Sequence, residues 1–79
     1  MSCGPAGKTA QAMWDNYREV LVWQGVAVDG SLIDLYAALP TAQGAATWTI
    51  IQTMHGRSCT RIKGPDWLIP EPPIGGPET

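Results

Sequence analysis

At 79 residues the chain has the length of one small domain, which buries only about 60% of the surface its unfolded form exposes and so gains little margin from its core alone. Its net charge of −2 with only five Lys plus Arg argues against a nucleic-acid-binding surface, which calls for clustered basic residues. No apolar run approaches the roughly 20 residues that cross a bilayer as a helix.

Taken in order, Ser2-Cys3-Gly4-Pro5-Ala6-Gly7 is too rich in Gly and Pro for a helix interior and reads as an N-terminal arm that something else must tie down. From about Lys8 to about Arg18 the pattern is helical. Ala10, Met13, Trp14, Tyr17 and Leu21 recur at spacings of three and four, with Gln11, Asp15, Asn16 and Arg18 on the other side. Thr9 stands where a cap would start this helix, and Asp15 and Glu19 give the exposed side its charge. The Met, Trp and Tyr stripe is expected to face the core.

Val20 to Val28 has strand character, Asp29-Gly30 is a strong hairpin turn signal, and Ser31 to Ala37 forms the returning strand. Gly25 inside the first of these arms predicts a bulge or a close approach by the helix. Leu39 to Ala45 is a loop by composition, in which Pro40 stops one strand and Gly44 turns the chain into the next.

Thr47-Trp48-Thr49-Ile50-Ile51-Gln52-Thr53 and Arg57-Ser58-Cys59-Thr60-Arg61-Ile62-Lys63 then form a second hairpin around Met54-His55-Gly56, filled with β-branched and aromatic residues. Trp67-Leu68-Ile69 is a last apolar anchor. The Pro- and Gly-rich residues 70–79 cannot form a helix or a sheet ladder and read as an extended or disordered tail. The expected architecture is α+β: one domain over residues 1–69, with an N-terminal helix laid on a four-stranded antiparallel meander. Trp14 and Trp48 are expected in its core.

Thr47-Trp48-Thr49-Ile50-Ile51, Thr53, Gly56-Arg57-Ser58-Cys59, Gly64 and Asp66-Trp67, together with a Cys3-Gly4-Pro5 start and Tyr17, Glu19, Gly25 and Gly30 between them, resemble the pattern of a family of small, uncharacterised, mostly alphaproteobacterial proteins that usually carry a signal peptide. This chain has Met54-His55-Gly56 where those proteins often have Pro-Asp-Gly. The resemblance implies export to the periplasm or beyond, with no activity attached. The chain itself shows no charged start followed by an apolar stretch. That leaves either a mature exported protein in which Met1 replaces a removed signal, or a cytoplasmic protein.

Cys3 and Cys59 carry the sharpest candidate chemistry. As a disulfide they would tie the arm to the last strand and require an oxidising compartment. The alternatives are two free thiols, or a metal site with His55 that lacks a fourth ligand and paired Cys-x-x-Cys spacing. Arg57, Arg61 and Lys63 alternate along the last strand as a strip that would either meet an acidic partner or stay solvated and guard a sheet edge. His55 has no nucleophile or acid linked to it by spacing. No paired carboxylates, phosphate-cradling loop or nucleophile motif points to an enzyme, a cofactor or a metal.

These features lead to the expectation of a small secreted, disulfide-stabilised domain that binds a protein partner. The other readings are a cytoplasmic inhibitor or accessory protein of phage type, or a minor subunit whose Pro-rich tail wraps a neighbour.

Overall fold

The computed structural model describes residues 2–39 and 46–68. Its elements in chain order are β1 (Cys3–Pro5), a one-turn 3-10 helix (Ala6–Lys8), α1 (Thr9–Tyr17), β2 (Val20–Val26), β3 (Leu32–Ala37), β4 (Trp48–Met54) and β5 (Arg57–Gly64). The strands form one antiparallel sheet in the order β1-β5-β4-β3-β2. The α+β class and the four-strand meander are as the sequence predicts. The N-terminal arm adds a fifth strand, a correction to the expected count.

The arm becomes a strand because its partner strand dictates it. Cys3, Gly4 and Pro5 stand opposite Cys59, Ser58 and Arg57. The pairing is continued at both ends by Thr60 N–H to the Ser2 carbonyl (2.8 Å) and Ala6 N–H to the Gly56 carbonyl (2.9 Å). Three residues that include Gly and Pro have no strand propensity of their own. An edge position is where Pro5 is tolerated, since its missing N–H leaves no gap in an inner ladder.

Both hairpins turn through left-handed backbone, in different ways. Between β4 and β5 only His55 and Gly56 intervene, with φ of 55° and 75°, the pattern of the two-residue turn whose twist matches that of the strands. Between β2 and β3, Gly30 N–H donates to the Ala27 carbonyl and Ala27 N–H to the Ser31 carbonyl, with Gly30 at φ 88°. The Asp29 carboxylate accepts from both the backbone N–H (2.9 Å) and the hydroxyl (2.7 Å) of Ser31. The hydroxyl bond and then the backbone bond hold the Asp29 carboxyl below its usual range.

Register separates the two faces of the sheet. Tyr36 and Asp34 on β3 stand opposite Thr49 and Ile51 on β4, and Ile51 stands opposite Thr60 on β5. These side chains share the face that the helix covers, where Met13, Tyr36 and Ile51 form the buried cluster. Burial, and then the nearby Asp34 carboxyl, push the Tyr36 hydroxyl above its ordinary pKa.

Of the predicted helix stripe only Met13 is buried. Trp14 remains 46% exposed and Tyr17 42%, which corrects the expectation that Trp14 lies in the core. A helix of nine residues lying on a narrow sheet buries one row of side chains. Trp14, one position further round, sits at the flank with the Arg18 guanidinium 5.1 Å from its ring centre. Thr9 does not cap the helix either: the N-cap residue is Lys8, which makes no side-chain cap bond.

The opposite face carries Ile33, Leu35, Ile50, Ile62, Trp23 and Trp48. Trp48 is half-buried there, lying across Gly64, where a Cβ would come within 2.6 Å of its ring. Its indole N–H donates to the Asp66 carbonyl (2.7 Å), and that of Trp67 donates to the Ala38 carbonyl (3.0 Å). These two bonds fasten the segment after β5 to the end of the sheet. Gly25 similarly lies beneath the ring of Trp23. The close approach predicted at Gly25 is thus made by a tryptophan of its own strand, and the bulge of β2 falls earlier, between Leu21 and Trp23. The predicted loop residues 40–45 and the 70–79 tail lie outside the described residues.

Candidate functional site

The sulfurs of Cys3 and Cys59 are joined in a disulfide across directly opposed positions of β1 and β5. Their Cα atoms are 4.0 Å apart, the short spacing of facing residues in an antiparallel pair. The bond lies on the face away from the helix, since Cys59 stands opposite Gln52. Of the three readings of this cysteine pair, the structure has the disulfide, with each sulfur bonded to the other. Among the described residues no group of His, Cys, Asp and Glu is placed to hold a metal ion.

The predicted basic strip does not run along one face. A bulge on β5 comes between the pairs Ile50–Ile62 and Ile51–Thr60 and inserts Arg61. Beyond it every side chain changes face. Arg57 therefore stands opposite Met54 on the face away from the helix, whereas Lys63 stands opposite Thr49 on the helix face. There the Lys63 ammonium lies 5.6 Å from the centre of the Tyr17 ring. Alternation read without the bulge put all three residues on one side.

Two surfaces are left as candidate sites. The first is the edge formed by β2, which has no neighbouring strand on its outer side among the described residues. Six of its seven residues are exposed, Trp23 to 56% and Val26 to 73%, and Val20–Val26 contains no charged residue. Past the bulge, Trp23 to Val26 run in regular register with Leu35 to Leu32. The Gln24 side chain is turned back onto Asp34 (2.8 Å). The apolar surface of Trp23, Ile33, Leu35 and Ile50 continues from this edge across the open face of the sheet.

The second surface is an open cavity of about 310 Å³ at the C-terminal end of α1, lined by Tyr17, Glu19, Thr47, Thr49, Lys63 and Pro65 among others. Arg18, left-handed at φ 57°, ends the helix, and the N–H of Glu19 still donates back to the Met13 carbonyl (3.2 Å). This folds Glu19 under the helix end, where it is 1% exposed, although its sequence position suggests a solvated charge. The Thr47 hydroxyl donates to Glu19 Oε2 (2.7 Å). Glu19 Oε1 is buried and has no hydrogen-bond partner among the described residues.

His55 lies at a shallow depression between the two hairpin turns, beside Asp29, Gly30 and Met54. No helix among the described residues is long and apolar enough to cross a membrane. The fold and its cross-link define a class: a small α+β domain with a single antiparallel sheet and a disulfide that fixes its N-terminal strand. No protein-family profile matches the chain, and neither curated proteins nor solved structures yield a match.

Proposed function

We propose that this chain is a small exported binding domain, not an enzyme, that engages a protein partner by adding an extended segment of that partner to the outer edge of β2. The observation that carries the reading is the contrast between the two edges of the sheet. β1 is three residues long and contains Pro5, both of which discourage a further strand. β2 is seven residues long and has neither Pro nor Lys to guard it. Its outward N–H and C=O groups are a template for another strand, with affinity from the main chain and selectivity from alternate side chains.

The chemistry of the edge defines its occupant. Val20, Leu21, Val22, Trp23 and Val26 offer apolar contacts and no counter-charge. A charged residue docked there would be desolvated without compensation, so the fitting segment is extended, uncharged and apolar on alternate residues. Export is supported by the Cys3–Cys59 bond, which persists in oxidising compartments, and by the resemblance to proteins that carry signal peptides.

The test is selection of peptides from a random display library on the oxidised protein, followed by amide chemical-shift mapping. Apolar alternating peptides that move the signals of Trp23–Val26, and that bind at least about tenfold more weakly to Val22→Lys and Leu21→Pro, support the reading. Binders that map to β1 or to the helix face overturn it. So does a dimer in sedimentation that dissociates in Val22→Lys, because the occupant of the edge is then a second copy.

A further inference from the structure

The cavity under the end of α1 contains a group that the edge-binding reading does not use. We infer that this cavity is a second, independent binding site that takes a protonated amine or a guanidinium group, held by Glu19. Three observations meet there. Glu19 is 1% exposed, and among the described residues one of its carboxylate oxygens is satisfied, by the Thr47 hydroxyl at 2.7 Å. The other oxygen, Oε1, is buried and has no hydrogen-bond partner among the described residues. A buried acceptor left unmatched is costly, and in native proteins such a group calls for a water, an ion or a ligand.

The second observation is the cavity itself. At about 310 Å³ it is at the small end of ligand sites, suited to the tip of a basic side chain or a small free amine. The third is its wall. The Tyr17 ring already holds a cation against its face, the Lys63 ammonium at 5.6 Å from its centre, so the wall suits a positive group. Lys63 occupies the rim as the protein's own stand-in, and an incoming ammonium displaces it on the way to Glu19 Oε1.

The role of Lys63 fixes the sign of a decisive test. If the ligand is a cation, Lys63 competes with it, and Lys63→Met should tighten binding. If the ligand were a zwitterion with its carboxylate on Lys63, the same change would weaken it.

Amide shifts of the isotopically labelled, oxidised protein would be followed while n-butylammonium, arginine amide or a short lysine-containing peptide is added. Choline, which has the charge but no N–H, and 1-butanol, which has neither an N–H nor a charge, serve as controls. The amines should move the signals of Glu19, Thr47, Thr49 and Lys63, and the two controls should not. Glu19→Gln keeps an oxygen for the Thr47 hydroxyl but replaces the acceptor with an N–H donor, and should weaken binding at least about tenfold. Lys63→Met should tighten it by up to about tenfold, the effect of removing one nearby like charge at intermediate dielectric.

Tighter binding of the peptide than of n-butylammonium identifies a partner's basic side chain as the source, and equal binding a free amine; both support the site. It is overturned if no amine shifts these signals at millimolar concentration, if choline or butanol binds as well as the amines, if Glu19→Gln binds unchanged while retaining the wild-type amide pattern in β3 and β4, or if Lys63→Met weakens binding. None of these outcomes bears on β2, so the two sites stand or fall separately.

Discussion

His55 holds a conformation that few side chains adopt willingly. Its φ of 55° is reached at some steric cost by most L-residues, whereas Asn tolerates it and Asn-Gly is the preferred pair for a two-residue hairpin turn. The His55 side chain is exposed at the turn, so replacing it removes little packing. His55→Asn should therefore stabilise the domain by about 0.5–1 kcal/mol, read as a rise in thermal midpoint. An unchanged or lowered midpoint would mean that the histidine makes contacts worth more than the strain it carries. Gly56 is a different case, because its φ of 75° follows directly and only glycine supplies it without cost.

At the scale of elements, the helix and the strands were legible from the sequence to different degrees. The helix limits and both hairpins follow from periodicity and from Asp29-Gly30 and Gly56, which are local signals. What the sequence concealed depends on partners far along the chain. Cys3–Pro5 is a strand only because β5 passes beside it, and the bulge at Arg61 is visible only in the pairing of β5 with β4. That bulge also separated Arg57 from Lys63. Glu19 looked solvated because nothing in the sequence says that the helix ends by folding it inward.

Helix packing gives a prediction at this scale. Met13 is the helix residue in the buried cluster with Tyr36 and Ile51, so Met13→Ala should cost about 2–4 kcal/mol. Trp14→Ala, at a site 46% exposed, should cost about 1 kcal/mol despite removing a larger side chain, since surface changes seldom exceed this. Equilibrium unfolding in urea compares the two, and the reverse order would show that the helix is rotated from the orientation described.

For the molecule as a whole the disulfide is the dominant constraint. It spans 56 positions, for which the loop-entropy relation gives about 4 kcal/mol, and the realised value is commonly nearer 2–4 kcal/mol. That is a large share of the stability available to a domain of this size. Reduction should lower the unfolding midpoint accordingly and should first release β1, whose attachment is otherwise a short ladder beside β5. Hydrogen exchange would show this as early loss of protection at Thr60 and Ala6, whose N–H groups bond across that junction. Protection that survives reduction at both would mean that the strand holds without its cross-link.

The sheet order has one more outcome. β1 and β5 are neighbours although they open and close the described fold, so the bond between Cys3 and Cys59 makes the chain between them a closed ring. A protease that cuts once inside this ring, for instance at the exposed Val28-Asp29-Gly30 turn, opens a circle without releasing a piece. The nicked protein would keep both halves of its sheet on one covalent frame and run as a single species until a reductant is added, when it would part into two fragments. Wherever thiols are scarce enough for the bond to persist, such a domain would outlast its first cut.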